Sequence, residues 1–180
     1  MDSNPLILII RTVGQLYVFI LLLRLVLQLA KADYYNPISQ GIVRITQPVI
    51  KPLQKIIPKI LNIDISPVLL AIVLNAIILY AVYALGSQLI PITSLFLYAV
   101  IGVLNIFLDI IFYAVMGSVI LSWIAPDSPH PAPQLIMQIS SPLYRLVGKV
   151  LPSMGGFDLS PILIFIAIQL IQSQLRPFLI

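Results

Sequence analysis

The residues of this sequence that could do chemistry are ionisable side chains set in apolar stretches. Arg11, Arg24 and Asp109 each lie in a run of mostly apolar residues. A charged side chain within a lipid bilayer is costly, so such residues are rare there and are functional candidates by default. These three could pair with one another between helices, or they could line a polar path for an ion or a proton.

Helical spacing adds two amides to this set. Gln15 follows Arg11 by four residues and Asn105 precedes Asp109 by four, so each pair would share one helix face. Two alternatives stay open. Arg11 and Asp109 could form a salt bridge that holds two helices together, with the amides supporting it. Alternatively, Arg11, Asn105 and Asp109 could line the polar path of a channel or transporter component.

The composition makes other kinds of site hard to build. The 180 residues include no cysteine and one histidine, His130, which argues against thiolate sites, histidine metal sites and a Ser-His-Asp triad. They are 60% hydrophobic and 9% charged, whereas a soluble domain is roughly 25% charged. The sequence therefore predicts an integral membrane protein that is not an enzyme and that holds no metal or other cofactor.

Four apolar stretches are long enough to cross a bilayer, which takes about 20 residues of helix. They span about residues 6–31, 67–90, 92–125 and 161–180. Proline costs about 3 kcal/mol in a helix interior, and twelve of the fifteen prolines fall within residues 36–67 and 126–161, mostly between these stretches. The predicted fold class is an all-α membrane protein with four transmembrane helices.

The sequence repeats itself at an offset of 94 residues. Eleven of the 35 positions from 33 to 67 carry the same residue 94 positions later, among them Asp33, Pro37 and Lys55. This duplication predicts two units, residues 1–90 and 91–180, each with two spanning helices around a proline-rich connector. Because each unit crosses the membrane twice, both enter it from the same side, as in a parallel repeat.

The two connectors, residues 31–64 and 127–158, combine apolar residues at helical spacing with basic residues on the other face. Pro48 and Pro52 are expected to break the first connector into short helices. A basic amphipathic segment of this kind lies in the membrane interface; the alternative is selective capture of anionic lipid headgroups or of a partner protein. We expect no nucleic-acid binding. The basic residues are Arg44, Lys51, Lys55, Lys59, Arg145 and Lys149.

The charge distribution also predicts an orientation. The first connector carries five basic residues and two acidic ones, and residues 85–94 carry no charge. By the positive-inside rule the connectors face the cytoplasm and both termini lie outside. Arg24, close to Lys31, is expected to extend its side chain to the cytoplasmic interface, although its guanidinium could instead bind a connector aspartate or carbonyl.

Each connector ends in an Asp-x-Ser-Pro motif. The serine is predicted to cap the next helix, with the proline at its first position and the aspartate near its positive end. A role in handling a cation or a phosphate is the alternative. The motif residues are Asp64, Ser66, Pro67, Asp158, Ser160 and Pro161.

These motifs resemble the repeat of the YggT family, called YlmG in Gram-positive bacteria and plastids. The resemblance implies a two-repeat, proteobacterial inner-membrane protein without known catalytic residues. Family members are linked to osmotic-stress tolerance and ion uptake, and relatives to cell division and plastid organisation. The first copy has Leu61-Asn62 where the second has Gly155-Gly156. The resemblance rests on Asn36-Pro37-x-x-Gln40, Thr46-Gln47-Pro48, Ile57-Pro58 and Asp64-x-Ser66-Pro67, and on Ser122-Trp123, Ser141-Pro142-Leu143, Leu151-Pro152 and the run from Gly155 to Pro161.

Two functions follow as hypotheses. The first is a membrane scaffold or organiser, in osmotic or envelope stress or in division-related processes. Its connectors would engage anionic lipid, a second copy of the chain, or a cytoplasmic or membrane protein. The second is an ion channel or transporter component, which would have to be oligomeric because four helices could hardly enclose a wide pore alone.

Overall fold

The structure is a bundle of long helices with two shorter helices packed against it. A computed structural model describes residues 5–60, 62–87, 89–149 and 158–179, and these form six α-helices. A 3-10 turn at Arg176–Phe178 follows the last helix. The Leu151-Pro152 and Gly155-Gly156-Phe157 motifs of the second copy lie outside the described residues. The helices are α1 (Pro5–Leu29), α2 (Pro37–Gln54), α3 (Ser66–Leu85), α4 (Ile92–Ile124), α5 (Pro131–Val147) and α6 (Ser160–Leu175).

Four of the helices in the described part are long and apolar enough to cross a membrane: α1, α3, α4, and α6 together with its 3-10 turn. These are the four stretches that apolar length predicts. α1 ends at Leu29, two residues before the predicted boundary at residue 31, and α3 ends at Leu85, five residues before residue 90. At the end of α1, Lys31 has a φ of 53° and the Ala32 amide donates to the Leu27 carbonyl at 2.9 Å. This is the Schellman arrangement that ends a helix, here with lysine in place of the usual glycine.

The first helices of the two repeats, α1 and α4, form the centre of the bundle. They contact each other, and α3 packs against both, while α6 packs against α4. Val18, Leu21 and Leu22 of α1 are completely buried. Large apolar side chains such as Phe96 and Ile120 are exposed on the outside, which is the distribution expected where lipid is the solvent.

Among the described residues each connector contains one α-helix, α2 or α5, and the prediction that Pro48 and Pro52 would break the first one is wrong. Both prolines lie inside α2, four residues apart and on its exposed side. Each removes one backbone hydrogen bond, leaving the carbonyls of Arg44 and Pro48 without their usual donors. Because that side of α2 is exposed, water can satisfy these carbonyls, and the helix continues.

The predicted serine caps are also wrong. α3 and α6 begin at Ser66 and Ser160 themselves, with no side-chain cap from the residue before. The aspartate two residues upstream does the capping. Asp64 Oδ1 accepts from the Ser66 amide at 3.0 Å, and Asp158 Oδ1 accepts from the Ser160 amide at 2.8 Å. A carboxylate competes well for this position because the helix N-terminus is electropositive.

Gly14 gives the closest approach between α1 and α3. A Cβ added there would lie 2.5 Å from Ile78 Cδ1 and 2.7 Å from Ile78 Cγ1. We expect Gly14→Ala to lower the free energy of unfolding by about 1–3 kcal/mol, the usual cost of overpacking, when unfolding is followed in detergent micelles.

The matched control is Gly41→Ala in α2, where an added Cβ meets nothing within 4 Å. There the higher helix propensity of alanine should stabilise the protein by up to about 1 kcal/mol. Equal effects of the two substitutions would show that helix propensity, and not the α1–α3 approach, decides the outcome.

Candidate functional site

A chain of hydrogen bonds links the end of α1 to the start of α3 through the connector helix α2. Arg24 donates from Nη1 to Thr46 Oγ1 and from Nη2 to Gln47 Oε1, both at 2.8 Å. Gln47 Nε2 donates to Gln54 Oε1 at 3.2 Å, and Gln54 Nε2 donates to Asp64 Oδ2 at 2.6 Å. Every donor in this chain points from the guanidinium towards the carboxylate. We call these residues the Arg24 network.

The two ends of the Arg24 network are charged, and both are withdrawn from solvent. Asp64 is 6% exposed and Arg24 is partly buried. Burial alone would raise the pKa of the Asp64 carboxyl. Hydrogen bonds from Gln54 and Ser66 and the positive charge of Arg24 outweigh that effect and bring the pKa below the usual aspartate value. Asp64 is therefore ionised at neutral pH, opposite a permanent cation.

The buried face of α2 explains how the network forms. Ser39, Ile42, Thr46 and Ile50 are its buried residues, at the spacing of one helical face. Thr46 sits in the middle of that face, donates to the Ile42 carbonyl at 2.7 Å and still accepts from Arg24. The sequence signal for this contact was a polar residue, Thr46, at helical spacing between the apolar residues Ile42 and Ile50.

A cavity of about 500 Å³ lies beside the network, between the end of α1, the helix α2 and the segment that joins α2 to α3. Its wall combines charged residues, Arg24, Lys59 and Asp64, with apolar ones such as Leu27 and Ile42. We call it the connector cavity. Ser39 also lines it and is 4% exposed, yet its hydroxyl has no hydrogen-bond partner among the described residues.

The second repeat has different chemistry at the matching place. The residue 94 positions after Arg24 is Ser118, which shares a hydrogen bond of 2.5 Å with the Tyr144 hydroxyl of α5. Burial raises the pKa of the Tyr144 phenol, so the phenol stays neutral. At this position α4 and α5 are therefore joined by two neutral hydroxyl groups, where α1 and α2 are joined by a cation.

The two connectors also touch each other. The Asp33 amide donates to Gln138 Oε1, and Asn36 Nδ2 donates to the Pro131 carbonyl, both at 2.9 Å. The six predicted basic residues are all exposed. The connector helices thus form one continuous end of the bundle that presents basic side chains outwards. These residues are Arg44, Lys51, Lys55, Lys59, Arg145 and Lys149.

A separate polar cluster lies within the spanning helices of the second repeat. Asn105 Nδ2 donates to Asp109 Oδ2 at 3.1 Å, and Gln172 Nε2 of α6 donates to Asp109 Oδ1 at 2.7 Å and to Asn105 Oδ1 at 3.2 Å. The pairing of Asn105 with Asp109 on one face is as predicted. Gln172 was missed because nothing in its own helix indicates which side chain it faces.

A second cavity, of about 240 Å³, adjoins this cluster. Arg11, Gln15, Asn75 and Asn105 line it, so the structure brings four intramembrane polar residues to one place. The predicted Arg11–Asp109 salt bridge stays a prediction. Arg24, in contrast, belongs to the connector end: its partners there are side chains of the connector, and not the aspartate or carbonyl that the sequence suggested.

These features define a class of protein. The chain has four apolar spans, arranged as two similar units with a helical connector in each, which fits a multi-pass membrane protein built by internal duplication. It belongs to the CCB3/YggT family, whose model matches it twice, over residues 3–85 and 97–179. The two matches confirm the resemblance drawn from the connector motifs and support the internal repeat.

Several bacterial proteins are similar along most of their length. The uncharacterized protein PA0392 of Pseudomonas aeruginosa is 44% identical over 174 residues, covering 94% of this chain and 87% of that protein. The uncharacterized protein YggT of Escherichia coli strain K12 is 35% identical over 171 residues, or 93% and 87% of the two chains. A Vibrio alginolyticus protein described by its position in the proC 3' region is 36% identical over 169 residues, or 92% and 90%. No solved structure matches the chain.

Proposed function

We propose that this chain is an inner-membrane scaffold whose two connectors form a basic, cytoplasmic surface that gathers anionic lipid. The observation that carries the proposal is the exposure of the six basic connector residues named above, which lie at one end of the bundle. Each basic residue near an anionic membrane surface contributes about 1 kcal/mol of attraction. Roles in osmotic or envelope stress or in division would follow from local enrichment of such lipid.

The orientation in this proposal rests on the same charges. The connector end holds the basic excess, while residues 85–94 are uncharged, and basic loops stay in the cytoplasm. Both termini would then lie outside. Reporter fusions after Gln88 and after Ile180 test this, because a cytoplasmic signal from both fusions contradicts the orientation.

Neutralising the basic surface tests the scaffold proposal. We expect the wild-type protein, extracted from vesicles of equal phosphatidylglycerol and phosphatidylcholine, to retain more of the anionic lipid. The triple variant Arg44→Gln, Lys51→Gln, Lys55→Gln should retain the two lipids almost equally, since it removes about 3 kcal/mol of attraction. Bound lipid is counted by mass spectrometry.

The matched control keeps the charge and changes the side chains: Arg44→Lys, Lys51→Arg, Lys55→Arg. It should behave as the wild type at low salt, and about 1 M salt should weaken the preference of both by screening. A wild-type protein with no preference for phosphatidylglycerol would refute the proposal.

A second candidate function is ion conduction by an oligomer, favoured by the intramembrane cavity that Arg11, Gln15, Asn75 and Asn105 line. Ion flux into proteoliposomes under an applied potential tests it. Conduction through this path requires flux in the wild type that Asp109→Asn and Arg11→Gln reduce, whereas equal flux in all three proteins, or none, contradicts it.

A further inference from the structure

The connector cavity has the composition of a site for an amphiphile. One part of its wall is apolar, from Leu27, Ile42 and Val43, and the other carries Arg24, Lys59 and Ser39. Its volume of about 500 Å³ falls in the range of small-molecule sites. It also lies at the end of the spanning helix α1 and before the start of α3, the level at which lipid headgroups are expected if these helices cross a bilayer.

The charge around the cavity favours an anion. Arg24 and Lys59 are cationic, and Asp64 is the one acidic residue in the wall. Both Asp64 oxygens already accept hydrogen bonds, from Gln54 and from the Ser66 amide. Arg24 uses two of its five N–H donors on Thr46 and Gln47, and the other three have no acceptor among the described residues, which leaves them for a ligand.

Ser39 is an independent indication that a ligand belongs here. Its hydroxyl is buried in the cavity wall without a partner in the described part of the chain, and it is 4% exposed. A buried hydroxyl without a hydrogen bond is destabilising and calls for an explanation. An oxyanion in the cavity would accept its proton.

The second repeat lacks all of these groups. The residues 94 positions after Arg24, Ser39 and Lys59 are Ser118, Pro133 and Ser153. Neither charge nor the hydroxyl of Ser39 is reproduced. At these three positions the combination of two cations and a hydroxyl therefore belongs to the first repeat.

We propose that the connector cavity binds the phosphate group of a single membrane glycerophospholipid, held by Arg24, Lys59 and Ser39. Guanidinium and ammonium groups are the usual partners of phosphate, and the apolar part of the wall accommodates the start of the acyl chains. This proposal shares Lys59 with the scaffold surface but otherwise rests on different groups: Arg24 and Ser39 are withdrawn from solvent, and the other five basic residues of that surface lie outside the cavity wall. It would stand even if the outer surface showed no lipid preference.

The test titrates detergent-purified protein with dioleoyl phosphatidylglycerol and counts bound lipids by native mass spectrometry. The wild type should hold one lipid more tightly than all others. Lys59→Gln and Ser39→Ala should each weaken that one binding event about tenfold, the loss of one charge-assisted or buried hydrogen bond. Ser39→Ala should leave the thermal stability of the lipid-free protein unchanged or higher, since it removes an unpartnered hydroxyl.

The matched control is Lys31→Gln, a lysine of the same connector that is exposed, outside the cavity wall and outside the six residues of the scaffold surface. It should change the affinity less than about twofold. If Lys31→Gln and Lys59→Gln weaken binding equally, general surface attraction explains it and the site is refuted. Wild-type affinity in both Ser39→Ala and Lys59→Gln refutes it too.

A second arm identifies the source of the phosphate group. Inorganic phosphate and glycerol 3-phosphate, at millimolar concentration, should neither displace the lipid nor raise the thermal stability as the lipid does. If either soluble phosphate protects the wild type as well as phosphatidylglycerol does, and Ser39→Ala removes that protection, the lipid assignment is overturned in favour of a soluble anion.

Discussion

Replacing Arg24 by methionine should lower the free energy of unfolding by about 3 kcal/mol. The guanidinium makes two hydrogen bonds of 2.8 Å, to Thr46 and Gln47, and hydrogen bonds to charged groups contribute about 1.5–3 kcal/mol each. Its loss also leaves the buried carboxylate of Asp64 without the nearby positive charge that favours its ionised form. Methionine keeps the length and apolar bulk of the arginine stem, so packing against α2 changes little.

The measurement is equilibrium unfolding in mixed micelles, followed by circular dichroism, with two controls. Arg44→Met removes an exposed cation of the same connector and should change stability by less than about 0.5 kcal/mol, as most surface substitutions do. Arg24→Lys keeps the charge but cannot reproduce the geometry of the two guanidinium donors. Its loss of unfolding free energy should therefore lie between those of Arg24→Met and Arg44→Met. Equal stability of Arg24→Met and Arg44→Met would contradict a structural role for the Arg24 network.

The reason that sequence alone revealed the spans but not this network lies in the range of the interactions. A run of apolar residues long enough to cross a bilayer is a local property, so the four spans follow from residues 6–31, 67–90, 92–125 and 161–180. The partner of Arg24 depends on how α2 folds back along α1. That geometry brings together residues 22 and 23 positions apart, and no spacing rule reaches so far.

For the connector prolines the error was to predict a feature, a break in the helix, that the structure does not contain. A proline inside a helix was expected to end it, because each one removes a backbone hydrogen bond. The free-energy cost of such a proline depends on whether the carbonyl left without a donor is buried or exposed to water. Pro48 and Pro52 are on the exposed side of α2, and exposure is a tertiary property that the sequence did not reveal.

Duplication predicted the shape of the second repeat better than its chemistry. The paired helices recur, with α1 equivalent to α4, and aspartates cap α3 and α6 in the same way. The polar groups do not recur. The first repeat places a cation at its connector, where the second has Ser118, and the second places Asp109 within its spans, where the first has Gln15. Two polar sites at different levels of one bundle are the result of this divergence.

Replacing Gln172 by leucine should destabilise the protein by about 2 kcal/mol, within the usual cost of leaving a buried polar group without its partner. Gln172 is the amide that reaches Asp109 from α6, at 2.7 Å. Without it, Asn105 on the same helix still donates to Asp109, but the α4–α6 contact loses the two hydrogen bonds that Gln172 makes. Unfolding in mixed micelles measures the change, with Gln169→Leu on an exposed position of α6 as a near-neutral control.

The triple variant Asn105→Leu, Asp109→Leu, Gln172→Leu distinguishes a structural cluster from a required polar path. Asn105 is included because it donates to Asp109 and accepts from Gln172. Removing all three side chains leaves none of these groups unsatisfied, and replacing such a cluster by apolar residues of similar shape is close to neutral or stabilising. We therefore expect the triple variant to be at least as stable as the wild type, to within about 0.5 kcal/mol, although Gln172→Leu alone is destabilised. A loss in the triple variant equal to the sum of the three single losses would mean that the side chains do not interact. If the triple variant is stable and also abolishes an ion flux present in the wild type, the three polar residues are retained for conduction, because stability alone does not require them.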